Sequence, residues 1–142
     1  MTLAAAESCT GGLICHLLTN IPGSSAYLRG GVVAYADSVK ANVLGVPDEL
    51  VATHGAVSAP VAEAMARGVR RLLGTEVGVG VTGIAGPTGG TPAKPVGTVY
   101  LALSTPELER CEHRVWGADR PGNKELSARE ALQMTVRGIL PE

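Results

Sequence analysis

The period of the apolar positions changes several times along the chain, and each change marks an element. Thr2–Ala6 is a run of small apolar residues ending at Glu7-Ser-Cys-Thr-Gly-Gly12, and Leu13, Ile14, Leu17 and Leu18 then recur at helical spacing until Asn20 and Pro22. That order predicts strand, glycine-rich turn and helix. Val32–Tyr35 reads as a second strand, with Gly30 and Gly31 at its start. Asp37 or Ser38 can cap a helix carrying Val39, Lys40, Val43 and Leu44, which Gly45 ends. Pro47–His54 reads as a short helix closed by Gly55.

Ser58 followed by Pro60 is a helix-start signal, and Val61, Met65, Val69 and Leu72 keep one apolar face up to Gly74. Val77–Val81 alternates with glycine, which predicts a strand packed closely against a neighbour. Gly83–Gly97 is a Gly/Pro-rich loop, of a length more often functional than merely connecting. Val99–Leu103 and His113–Trp116 read as strands joined through Pro106, and Asn123 opens a last helix with Ala128, Leu132, Val136 and Ile139 inward. The order β-α-β-α-α-β-β-β-α predicts an α/β fold whose early strands are parallel and whose last strands form a meander. The expectation is a single domain, residues 1–142, with a mixed five-stranded sheet, helices on both faces and Val99–Leu103 as the antiparallel member.

Composition narrows the function. Apolar residues make up 45% and charged residues 18% of 142, as in a soluble globular chain. Apolar stretches fall far short of the roughly 20 residues of a membrane span, and the N-terminus lacks the pattern of a secretory signal. A cytoplasmic location is expected. Three cysteines without paired spacing predict free thiols, and the scattered histidines predict no metal site. A net charge of −1 and few aromatic residues argue against a nucleic-acid surface and favour a small-molecule partner.

The candidate chemistry lies mainly in Ser25, Tyr35 and Lys40. Serine is a useful nucleophile only when a base takes its proton, and a desolvated lysine can be that base. Moving a lysine from about 10.4 toward ~7 costs about 4.6 kcal/mol, which a partly buried site must impose. Glu7–Gly12 lies at a strand-to-helix turn, where Thr10, Gly11 and Gly12 either form a capped tight turn or offer amides to an anion. Cys9 in that turn is a second candidate nucleophile. Gly78-Val-Gly-Val-Thr-Gly83 spells the dinucleotide pattern but lies inside a strand, so it is set aside. Thr82–Gly90 follows a strand, where α/β sheets place ligands, and Arg120 near a helix start suits a phosphate.

Ala6-Glu-Ser-Cys-Thr-Gly-Gly12, Gly23-Ser-Ser-Ala-Tyr27, Tyr35 with Lys40, His54-Gly-Ala-Val-Ser58, Gly83-Ile-Ala-Gly-Pro87 and Lys94-Pro-Val-Gly-Thr98 stand in one order. Together they resemble the CinA C-terminal domain family, known as nicotinamide-nucleotide amidase. The resemblance implies a three-layer α/β/α fold and hydrolysis of nicotinamide mononucleotide to the acid and ammonia, with no metal or organic cofactor. It implies Ser25 as nucleophile, Lys40 as its base and Tyr35 as a supporting hydrogen-bonding group. Ser8, Thr10, Gly11, Gly12, Thr82, Gly83 and Arg120 are implied in substrate binding: Ser8 and Thr82 at the carboxamide or ribose, Arg120 at the phosphate, and amides near Gly11 or Gly83 at the oxyanion. Members usually carry a helix and a longer first strand before Glu7, so the expectation is either that the start is assigned late or that a partner subunit covers one sheet face, and a homo-oligomer, a dimer by preference, is expected. Relatives often show a further arginine in the segment occupied here by Pro121-Gly-Asn-Lys124. An alternative is a catalytically silent nucleotide-binding domain of the same fold.

Overall fold

The computed structural model describes residues 1–140. Its elements are β1 (Leu3–Glu7), α1 (Leu13–Thr19), a single 3-10 turn (Ser24–Ala26), β2 (Leu28–Val33), α2 (Asp37–Leu44), α3 (Asp48–His54), α4 (Ala59–Leu73), β3 (Val77–Gly83), β4 (Thr98–Ser104), β5 (Glu109–Val115) and α5 (Arg120–Ile139). The sheet order is β2-β1-β3-β4-β5. β1 is parallel to β2 and β3, and β4 is antiparallel to both its neighbours, so it alone is reversed. This is the expected mixed sheet.

Two apolar layers hold helices on its faces. Ile14 and Leu18 of α1 and Ala128, Ala131 and Met134 of α5 pack with Val79, Val81 and Leu101. Leu44 of α2 and Val61, Met65 and Val69 of α4 pack with Ala4 and Ala6 on the other side. A helix on each side brings its backbone close to the central strands, which explains their small residues. Ala4, Ala5 and Ala6 are wholly buried, and a β-carbon on Gly78 or Gly80 would run into the Ala66 and Ala62 carbonyls of α4. The expected close packing of β3 is therefore against a helix backbone.

Three elements differ from the sequence expectation. β2 enters the sheet at Leu28 rather than Val32 and leaves before Tyr35. Its Gly30-Gly31 pair lies inside the strand, and a β-carbon on Gly31 would strike Cys15 and the Ala5 carbonyl. β5 begins at Glu109; as a polar edge strand with no fully buried side chain it carries no apolar alternation to read. α5 begins at Arg120, because Asp119 caps it by accepting from the Gly122 N–H at 2.9 Å and Pro121 suits the first turn. Asn123 is thus inside the helix.

At the N-terminal end of β1 an apolar cavity of about 720 Å³ opens between α1, the 3-10 turn and the last turns of α5, lined by Leu3, Leu18, Ile21, Tyr27, Val136 and Ile139 among others. Among the described residues no helix is long and apolar enough to cross a membrane.

Candidate active site

The parallel strands β1 and β3 end side by side, and the chain turns away from them in different directions. Between those ends, the start of α2, the loop after β3 and the first turn of α5 lies a cavity of about 350 Å³. Ser8, Tyr35, Lys40, Thr82, Gly83 and Arg120 all line it. The carboxyl ends of strands are where α/β sheets generally bind ligands.

Lys40 is the most unusual residue in this cavity, because only 1% of it is exposed. It lies in the first half of α2, and helical side chains lean toward the N-terminus, so its amine reaches back over the residues that precede the helix. There the Nζ donates to the Ser8 Oγ at 3.1 Å and to the Tyr35 carbonyl at 3.1 Å. Burial lowers its pKa below the ordinary 10.5, opposed by Asp37, whose exposed carboxylate lies 3.7 Å away. Once the amine is neutral it can accept the Ser8 proton across the same contact. Ser8 and Lys40 therefore form a hydroxyl–amine pair inside one chain.

The Glu7–Gly12 turn resolves as a structural unit rather than an anion seat. Glu7 is 1% exposed and accepts four hydrogen bonds: from the Thr10 hydroxyl at 2.7 Å and from the N–H groups of Gly12, Ile14 and Cys15 at 3.2, 2.9 and 3.1 Å. The Gly11 N–H donates to the Ser8 carbonyl at 3.1 Å. Gly11 and Gly12 both have positive φ, which suits glycine, and let the chain curl back onto Glu7. Thr10, Gly11 and Gly12 do not line the cavity, so their expected contact with substrate or oxyanion is corrected: the Glu7 carboxylate has taken the Thr10 and Gly12 donors and the Ser8 carbonyl that of Gly11. Sequence reasoning gave Glu7 no such role, although a carboxylate just before a helix start is a recognisable anchor.

The other side of the cavity is a braced loop. The Thr82 hydroxyl donates to the Ala56 carbonyl at 2.9 Å, tying β3 to the segment before α4. Buried Asn123 donates to the Ala85 carbonyl at 2.9 Å and accepts from the Ala118 N–H at 3.0 Å, and Arg120 donates to the Gly86 carbonyl at 2.6 Å. Among the described residues the N–H groups of Ala85, Gly86, Thr88 and Gly89 are engaged by no other group. Arg120 also reaches the Tyr35 hydroxyl at 3.4 Å. Tyr35 thus supports Lys40 through its carbonyl and Arg120 through its phenol. Asn123, read from sequence only as a helix opener, is a strut of the site.

Ser25 is not part of this cluster within one chain. It lies exposed in the 3-10 turn before β2, with its carbonyl bonded by Arg29, while two residues on the Tyr27 carbonyl accepts from Leu3 at the start of β1. Ser8 follows the end of β1, five strand residues further on, so the two serines stand roughly 16 Å or more apart along the strand direction at about 3.3 Å per residue. The implied Ser25–Lys40 contact is therefore corrected: a parallel strand separates the two residues and carries them to opposite ends. Cys9 lines the cavity, but burial pushes its thiol up to about 12, and nearby Lys124 and Lys40 only partly offset this. It is protonated at neutral pH and is a poor nucleophile. Among the described residues no group of three or more His, Cys, Asp or Glu side chains could hold a metal.

Comparison with known proteins gives one consistent match. The family model described as the CinA C-terminal domain matches residues 1–139. A CinA-like protein of Gemmatimonas aurantiaca is 64% identical over 136 residues, covering 96% of this chain and 31% of that protein. One from Anaeromyxobacter sp. strain K is 55% identical over 132 residues, covering 93% and 32%. The chain spans about a third of the length of these curated relatives. The crystal structure of a competence/damage inducible protein from Agrobacterium tumefaciens superposes with a TM-score of 0.89 at 42% identity, covering 94% of this chain and 82% of that one. A CinA superfamily protein from Enterobacter cloacae gives 0.94 at 28% identity, covering 99% and 83%.

Proposed function

Since the chain belongs to the CinA family, we propose that it is an amidohydrolase converting nicotinamide mononucleotide and water to nicotinate mononucleotide and ammonia, within pyridine-nucleotide recycling. The observation that carries the proposal is the buried Lys40 amine 3.1 Å from the Ser8 hydroxyl in a cavity rimmed by Arg120. Neutral Lys40 takes the Ser8 proton, and the Ser8 oxygen attacks the carboxamide carbon. The oxyanion that develops faces the uncommitted N–H groups of the Ala85–Gly89 segment. Lys40 returns the proton to the departing nitrogen, ammonia leaves, and an ester remains on Ser8. Water, deprotonated by the same amine, cleaves that ester and regenerates the hydroxyl.

Incubation of the pure protein with nicotinamide mononucleotide is expected to release ammonia and the nucleotide acid in equal amounts. Ser8→Ala is expected to lose this release. Nucleotide binding without ammonia would instead identify a silent binding domain. Full activity after Ser8→Ala would remove Ser8 as the acyl acceptor.

One observation favours a second reading of the nucleophile. Among the described residues β2 is paired only with β1, so its outer edge is free. Antiparallel pairing of two such edges across a two-fold axis would bring Ser25 of one copy toward the Tyr35 end of the other. In that dimer, mixing Ser25→Ala with Lys40→Met subunits restores activity that each lacks alone. If Ser8 is the acceptor, no such rescue occurs.

A further inference from the structure

Most of the cations on the later part of α5 are neutralised. Arg129 pairs with Glu125 at 2.9 Å, and Arg137 pairs with both Glu112 and Glu130. The first turn of the same helix is different. Arg120 and Lys124 are four residues apart, hence on one face, and among the described residues neither has a carboxylate within ion-pair distance. Two uncompensated like charges one turn apart oppose each other, so the pair is poised for an anion from outside the chain.

Their placement says which anion. Arg120 and Lys124 share a cavity of about 310 Å³ with Leu13 and Pro121, and Arg120 also lines the Lys40 cavity, so this residue borders both spaces. The Lys124 amine lies against the Gly11 backbone, 3.6 Å from where a β-carbon on that glycine would sit. Tyr35 spans the two functions, its carbonyl on the Lys40 amine and its phenol on Arg120. A substrate with its amide at Lys40 and its far end at Arg120 presents that end to Lys124 as well.

We infer that Lys124 is the second cation of a phosphomonoester seat and that it sets the preference of this site for a phosphorylated amide over its unphosphorylated form. The inference rests on the amidase reading for the identity of the substrate. A dianionic phosphate suits a guanidinium and an ammonium together: the first offers a planar fork and the second a point charge.

The test compares Lys124→Gln and Lys124→Arg with the parent protein on nicotinamide mononucleotide and on nicotinamide riboside, which lacks the phosphate. For Lys124→Gln, kcat/KM on the mononucleotide is expected to fall about 10- to 100-fold, mainly through KM, the scale of one charge-assisted hydrogen bond. Activity on the riboside should be unchanged, and Lys124→Arg should retain most of the mononucleotide activity. Equal losses on both substrates, or no loss on either, would overturn the inference. If the parent releases no ammonia, the amidase reading fails on its own. Calorimetric titration with the mononucleotide and with inorganic phosphate then decides the seat: weaker binding of both to Lys124→Gln supports it, and unchanged binding rejects it.

Discussion

The two ends of the sheet differ in what they leave unmatched. At the carboxyl end a buried amine, the Arg120 guanidinium and several loop N–H groups surround a cavity of about 350 Å³. At the amino end the larger cavity, about 720 Å³, is lined mostly by aliphatic side chains. Size would favour the second as a ligand site, whereas chemistry favours the first. An apolar wall stabilises any apolar cover without discriminating strongly, but a desolvated amine can do acid–base work on one bond. The cost of burying Lys40 is therefore a better pointer to function than the room available at the other end.

Lys40→Met tests this contrast most severely. Ammonia release is expected to fall about 10²- to 10⁴-fold, the usual worth of a positioned base. In the parent protein kcat/KM should rise with pH through an apparent pKa below the ordinary 10.5, since the neutral amine is the active form. Stability should move the other way on substitution. A lysine whose pKa is lowered by folding binds fewer protons folded than unfolded, so its contribution improves as pH rises toward 10.5 and is lost as pH falls. Lys40→Met is therefore expected to raise Tm at pH 7 and to raise it less near pH 10. A lower Tm at pH 7 would mean that the buried amine is a net stabiliser.

Asn123→Ala should have an intermediate effect. It leaves the Ala85 carbonyl and the Ala118 N–H without partners, and urea unfolding should show a loss of about 1–3 kcal/mol. Activity should also fall, because the loop that carries the free N–H groups loses its strut. Smallest of all, Ser25→Ala is expected to change neither stability nor ammonia release by more than about twofold when Ser8 is the acceptor. A large loss would transfer the nucleophile to a second copy and make the two ends of the sheet partners in one site.

Much of the fold was legible because its core elements carry strong periods. Val61, Met65 and Val69 of α4 and the Val-Gly alternation of β3 are buried as read, whereas Leu72, read onto the same α4 face, lies half exposed near the helix end. β5 was legible only in its last residues, since an exposed edge strand has no buried side to mark. The site was legible in part: Ser8, Tyr35, Lys40, Thr82, Gly83 and Arg120 do converge. Ser25 misled for a topological reason. It is closer to Lys40 in sequence than Ser8 is, but β2 runs between them, and a strand converts a short sequence separation into a long distance. Ser8 reaches Lys40 from 32 residues away because β1 and β2 are parallel and end together. No local pattern encodes that meeting.

Glu7 has a further consequence for chemical intervention. The helix start most inviting to a small acid is filled from birth by a tethered internal tenant, held by four donors. Inhibitors that imitate the anions of phosphate loops would find that berth closed, and compounds aimed at this protein should be drawn toward the α5 side of the molecule instead.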